Sequence, residues 1–292
     1  SFALTAAGGT AAVLWNVRGG MSDVVELDLV TGGRLTVPLP GSVVSGLTWS
    51  ADGSTLTFTA EGPGQPHGTW AFDAAGLHPV SVEEAAPGAV HPVLHRFASH
   101  DGLEISGWLF RPPHTEGPHP TVLWFHGGPE AQERPGHGPL FQSLVDRGIA
   151  VFAPNVRGSS GFGRSFVNAD NGPLRYAAVA DVEACVTYLV SAGIADARRV
   201  GCMGRSYGGY LTLAALTTYP DLFAVGIDVC GMSNFATFYA HTEPWIASAA
   251  VSKYGDPVAD AELLRDLSPI TRIDRLTTPL MVVHGENDSN VP

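Results

Sequence analysis

Five residues, Gly204-Arg205-Ser206-Tyr207-Gly208, read G-x-S-x-G, a spacing that suits a serine nucleophile held on a sharp strand-to-helix turn. The turn is strained, so the positions two residues either side of the serine must be small. Gly204 and Gly208 meet that demand, and Gly209 lets the following helix approach the sheet. An apolar stretch at 199–203 runs in and a helix-forming stretch at 207–216 runs out. The helix start would set a positive dipole end beneath a developing anion. A serine hydroxyl also needs a base, and the base an acid to orient it. The apolar run 278–284 ends in Gly285-Glu286-Asn287-Asp288, which places an acid just past the end of a strand. Asp288 is the expected acid and Glu286 the alternative. An oxyanion needs two backbone N–H donors. Tyr207, directly after the nucleophile, is one. Gly128, in the loop His126-Gly127-Gly128-Pro129 that follows the strand-like 122–125, is the other. His126 precedes the serine and is expected to brace that loop.

These groups need a scaffold. From about residue 95, short apolar runs at 103–109, 121–126, 150–154, 200–203, 225–229 and 280–284 alternate with helical stretches near 140–147, 182–192 and 207–218. That alternation predicts βαβ units and a parallel sheet covered on both faces, an α/β-hydrolase domain over 95–292. The first 83 residues differ. Alternating runs at 11–15, 24–29 and 35–37 are followed by 46–50, 55–59 and 69–73, with turn signals such as Thr31-Gly32-Gly33 and Ala51-Asp52-Gly53 between them. Four short strands per ~40 residues, repeated, predicts about two β-propeller blades, the C-terminal part of a propeller; a small β-sandwich is the alternative. Residues 84–94, with Pro87-Gly88 and His91-Pro92, read as a linker.

The motifs His126-Gly127-Gly128-Pro129, Asn155-Val156-Arg157-Gly158-Ser159-Ser160-Gly161-Phe162-Gly163, Gly204–Tyr210 and His284–Asp288 before Val291-Pro292 together resemble the prolyl oligopeptidase family of serine peptidases, in its acylaminoacyl-peptidase and dipeptidyl-peptidase-like branch. The resemblance implies Ser206 as nucleophile, Asp288 as acid, and Gly128 and Tyr207 as oxyanion donors. It implies hydrolysis of short peptides, with a propeller restricting access by size, and no metal or cofactor. Acylaminoacyl-peptidase-like activity leads. Dipeptidyl or other exopeptidase activity, a carboxylesterase and a non-catalytic peptide-binding homologue are the alternatives. The family's catalytic histidine lies a few tens of residues past the acid, and the last of this chain's 11 histidines is His284. A C-terminally incomplete chain is therefore expected, one that holds Ser206 without activating it.

The aromatic-rich segment with Phe235, Phe238, Tyr239, Trp245 and Ile246 lies where a pocket wall is expected, and in the resembling family this region lines the pocket for the residue before the scissile bond. Such a wall suits medium or large apolar side chains. Arg157, in a glycine-rich loop past a strand end, is a further candidate for binding substrate. Arg205 is expected to tie down loops.

A net charge of −12 argues against nucleic-acid partners. Only 15% of residues are charged and 45% are hydrophobic, which excludes disorder. Cys185, Cys202 and Cys230 have neither metal-ligand nor redox spacing and read as core residues in a reducing compartment, hence a cytoplasmic location. No apolar run reaches the ~20 residues of a membrane span, so no membrane partner is expected. A homo-oligomer is compatible with the sequence.

Overall fold

Period-two patterning makes the first 83 residues antiparallel sheet. In β6 (Leu56–Gly62) the side chains of Leu56, Phe58 and Ala60 are buried in alternation with partly exposed threonines. The structure is a computed structural model and describes residues 1–292 apart from Arg18, Ala86 and His114; the expected linker at 84–94 thus includes one position, Ala86, outside the described residues. Those residues form two compact units, Ser1–Val93 with Arg134–Ser143, and Leu94–Glu133 with Leu144–Pro292.

The first unit holds two four-stranded antiparallel sheets. One runs β1 (Phe2–Leu4), β2 (Thr10–Asn16), β3 (Ser22–Asp28) and β4 (Arg34–Thr36). The other runs β5 (Val43–Trp49), β6, β7 (Gln65–Asp73) and β8 (Gly76–Ser81). Each is a sequential meander, as in a propeller blade. Ala12, Leu14, Val24, Val44, Leu56 and Phe58 share one core. The segment 134–143 belongs with this unit through specific bonds. Arg134 donates to the Gly20 carbonyl (2.5 Å), Asn16 Oδ1 (2.9 Å) and Ser22 Oγ (2.9 Å), and Ser42 Oγ donates to the Pro135 carbonyl (2.6 Å). A partition by sequence position alone does not contain this excursion.

The second unit is built on a seven-stranded sheet. Its strands are β9 (Val93–Ala98), β10 (Glu104–Phe110), β11 (His119–Phe125), β12 (Ala150–Asn155), β13 (Ala195–Arg205), β14 (Val225–Val229) and β15 (Leu280–Val283), in the order β15-β14-β13-β11-β12-β10-β9. β10 pairs with β12 antiparallel, while β12, β11, β13, β14 and β15 pair in parallel. Every residue of β12 is buried, as a strand covered on both faces requires.

The chain passes through α1 (Pro139–Val145) between β11 and β12, and through α2 (Arg164–Val167) and α3 (Arg175–Ser191) between β12 and β13. α4 (Tyr207–Thr218) leads from β13 to β14. Between β14 and β15 lie α5 (Phe235–His241), α6 (Pro244–Tyr254) and α7 (Ala261–Leu267). α3 begins seven residues before the apolar periodicity does. Pro173 sits in a 3₁₀ turn that starts it, and the polar residues Arg175 and Asp181 are buried alongside Ala178 and Val179 because they find charged partners inside.

Parallel registration fixes where the loops emerge. Phe125 pairs with Gly204, Arg205 with Val229, and Val229 with Val283. The residues that follow β11, β13 and β15 therefore leave the sheet along one edge, at the strands' carboxyl ends, where open α/β sheets bind ligands.

Candidate active site

Ser206 caps α4 with φ 58° and ψ −117°, a left-handed conformation that costs a non-glycine residue about 1–3 kcal/mol. Its N–H donates to the Val229 carbonyl at 2.9 Å, which ties the elbow to the neighbouring strand. A Cβ on Gly204 would collide with the Gly208 backbone, and one on Gly208 with the Phe125 carbonyl, so both positions admit only glycine. Tyr207 opens α4, and a helix's first N–H has no partner within the helix.

Gly128 has φ 129°, and a Cβ there would lie 2.6 Å from the Glu130 nitrogen. His126 braces the loop. Its Nδ1–H donates to the Gly127 carbonyl (2.7 Å), and Nε2 is hydrogen-bonded to the Ser159 hydroxyl (2.8 Å). Burial pushes this imidazole toward the neutral form. Both ring nitrogens are engaged, so His126 is unavailable as a base for Ser206.

Ser206 lines two cavities. One, of about 660 Å³, also takes Gly128, Pro129, Met232, Trp245, Ile246 and Tyr254 into its wall. The other, of about 360 Å³, is lined by His126, Glu133, Arg205, Asp288 and Asn290 among others. Asp288 is half-buried, and its Oδ1 accepts the N–H groups of Asn290 and Val291, both at 2.9 Å. These bonds pin the carboxylate in a loop that shares a cavity wall with Ser206. Glu286 is exposed and lines neither cavity. His284 Nε2 lies 3.9 Å from Asp288 Oδ2 but donates to the Val291 carbonyl at 2.5 Å.

The aromatic segment divides. Phe238, Trp245 and Ile246 line the larger cavity. Phe235 is fully buried behind it, with its ring 5.2 Å from Tyr210 and 4.8 Å from Tyr254. The Tyr239 hydroxyl donates to the Gly255 carbonyl at 2.9 Å and the residue lies outside the cavity lining. Arg157 requires a correction. It is buried, and its guanidinium donates to both oxygens of Asp181 and both of Asp101 at 2.8–2.9 Å. The same bonds hold the Asp101 carboxyl well below the usual carboxylate range. With its donors spent on two aspartates that bind it from either side, Arg157 is a structural clamp and not a substrate ligand.

Several residues at the site carry no sequence signal. Lys253 Nζ meets Glu130 Oε1 (2.5 Å), Asn171 Oδ1 (2.9 Å) and the Val167 carbonyl (3.1 Å), filling all three of its donors. Arg175, wholly buried, binds Asp170, donates to the Tyr207 hydroxyl (2.6 Å) and lies between the Tyr207 and Tyr254 rings, 5.0 and 4.9 Å from their centroids. Asn290 lines both cavities. Glu133 is fixed by its backbone, which exchanges bonds with the Asn155 side chain at 2.7 and 3.1 Å. Burial pushes its carboxyl up to about 7.

A serine on a strained elbow, a glycine loop across from it and a pinned acid past the last strand have the arrangement of the α/β-hydrolase fold. Residues 139–292 match the model of the prolyl oligopeptidase family, and the chain belongs to that family. It is 41% identical over 181 residues to dipeptidyl aminopeptidase BIII of Pseudoxanthomonas mexicana, covering 60% of this chain and 26% of the relative. It is 29% identical over 232 residues to the acylamino-acid-releasing enzyme of Rattus norvegicus, covering 73% and 31%. A solved Mycobacterium tuberculosis puromycin-hydrolyzing peptidase superposes with a TM-score of 0.89 at 27% identity over 100% of this chain and 46% of its own. The chain thus spans between a quarter and a third of these curated relatives.

Proposed function

We propose that the protein is a serine peptidase acting on short peptides, with acylaminoacyl-peptidase-like specificity, and that Ser206 is its nucleophile. The observation that carries this reading is Ser206 at φ 58° in a cavity whose wall also holds Asp288. Ser206 Oγ attacks the scissile carbonyl carbon and gives its proton to a base oriented by Asp288, a histidine in the family's pattern. Among the described residues no histidine is free to meet both groups. The N–H groups of Gly128 and Tyr207 receive the oxyanion. The tetrahedral intermediate collapses to an acyl-serine as the base returns the proton to the leaving amine, and water then releases the acid. The larger cavity, with Met232, Phe238, Trp245 and Ile246, takes an apolar side chain next to the scissile bond.

The 41% identity to a dipeptidyl aminopeptidase supports a second reading, removal of dipeptides from a free amino terminus. A panel of peptides with free and acetylated amino termini separates the two. Labelling by a fluorophosphonate probe tests both. In a full-length protein that supplies the base, labelling of Ser206 that vanishes in Ser206→Ala is expected, and equal labelling of the two proteins would refute the nucleophile. We also place the protein in the cytoplasm without nucleic-acid partners. Three free cysteines and the acidic charge support this, and among the described residues no helix is long and apolar enough to cross a membrane.

A further inference from the structure

Tyr207 supplies one of the N–H groups proposed for the oxyanion, but its side chain lines neither cavity beside Ser206 and is wholly buried. The hydroxyl at its far end meets Arg175 Nη1 at 2.6 Å and Asp170 Oδ2 at 3.4 Å, and the same guanidinium lies 5.0 Å from its ring centroid. Asp170 and Arg175 are themselves wholly buried and paired. A charged pair in the core thus grips the first residue of α4, whose N–H has no partner within the helix.

The same cation reaches toward the second donor. Arg175 Nη2 donates to the Lys253 carbonyl at 3.1 Å. Lys253 Nζ meets Glu130 Oε1 at 2.5 Å, and Glu130 stands two residues past Gly128. The remaining Lys253 donors go to Asn171 Oδ1 and the Val167 carbonyl, in the segment around Asp170. Stability alone accounts poorly for so many charges behind one elbow, because apolar residues of similar volume often replace a buried ion pair without loss. An oxyanion hole does need such a frame. Its donors act only when preset where charge develops, and removing one costs about 10²–10³ in kcat.

We propose that Asp170 and Arg175 are positioning residues for the oxyanion hole, holding Tyr207 directly and the Gly128 loop through Lys253 and Glu130. This rests on the serine-peptidase reading above. The two limbs can be cut separately. Tyr207→Phe removes the hydroxyl that Arg175 and Asp170 hold and keeps the backbone N–H. Glu130→Gln removes the charge that Lys253 binds and keeps Gly128. Neither change alters Ser206 or Asp288.

The test uses a full-length protein that supplies the base. Each variant should lower kcat for a peptide p-nitroanilide by about tenfold, a partial loss of one donor, with KM within about twofold of wild type. The double variant should lose about a hundredfold, since the limbs act on different donors. A peptide aldehyde is an independent readout, because Ser206 Oγ adds to its carbonyl carbon and leaves the oxygen in the oxyanion hole. It should bind each variant about tenfold more weakly, while the corresponding peptide alcohol, which forms no oxyanion, should bind as it does to wild type. Variants that melt at a lower temperature but keep wild-type kcat and aldehyde affinity overturn the positioning role and leave the peptidase reading standing. A rise in KM with kcat unchanged does the same, since it marks a contact with substrate. A protein in which Ser206→Ala cleaves as well as wild type overturns both.

Discussion

Nη1 of Arg175 donates to the Tyr207 hydroxyl at 2.6 Å, which links a wholly buried cation to the residue directly after Ser206. Arg175 also binds Asp170, and burial pushes that aspartate's carboxyl upward more than the nearby Arg175 and Lys253 cations pull it down. Removing the arginine alone therefore leaves a buried carboxylate uncompensated. Arg175→Met should cost about 3–5 kcal/mol in denaturant unfolding. The double variant Asp170→Asn/Arg175→Met should cost clearly less than the sum of the single changes, and additive losses would show that the two charges are not coupled.

The elbow should trade stability against chemistry. Ser206 holds a conformation that suits glycine, so Ser206→Gly should raise stability by about 1 kcal/mol while abolishing fluorophosphonate labelling. Gly208→Ala should do the reverse to the fold, because its Cβ would meet the Phe125 carbonyl. A loss of about 3 kcal/mol or more is expected in thermal or denaturant unfolding. A Gly208→Ala protein as stable as wild type would contradict the close approach of β11 and α4.

Glu133 should leave a signature in the pH dependence of stability. Its folded-state pKa of about 7 lies above the ordinary value of 4.5, so between these the folded state binds more protons than the unfolded one. Stability from this residue is then greatest below about pH 4.5 and declines as pH rises toward 7, by on the order of 2 kcal/mol. Glu133→Gln should flatten that part of the profile measured by denaturant melts at several pH values. An unchanged slope would mean that the carboxyl is well solvated.

The larger cavity should set preference for the residue before the scissile bond. Ala249 lines it from an exposed position on α6, so a larger side chain there fills space without disturbing the core. Ala249→Phe should lower kcat/KM for phenylalanine relative to alanine at that position by about tenfold or more. Equal loss for both substrates would place the side chain elsewhere.

What could be read without coordinates was local. Gly204, Ser206, Gly208 and the flanking strand and helix depend on neighbours a few positions away, so their spacing is itself the signal. The loop after β11 and the acid after β15 are legible for a related reason, since parallel strands in an α/β sheet deliver their carboxyl ends to one edge. Two meanders of four strands are likewise visible through period-two patterning and turn residues.

Charged residues resisted because a charge reads as surface until its partner is known. Arg157 stands in a glycine-rich loop past a strand, and nothing nearby reveals that Asp101 and Asp181, 56 and 24 positions distant, converge on it. Lys253 meets the Val167 carbonyl across 86 positions and Arg175 meets Tyr207 across 32. The sequence by itself determined the strand-turn-helix at Gly204–Gly208, the strand end that carries Asp288 and the sheet that holds both, because hydrophobic period and glycine spacing are properties of adjacent residues. Only the tertiary structure decided that Arg157 and Arg175 are spent on buried partners, because the pairing of buried charges depends on which distant groups folding brings together.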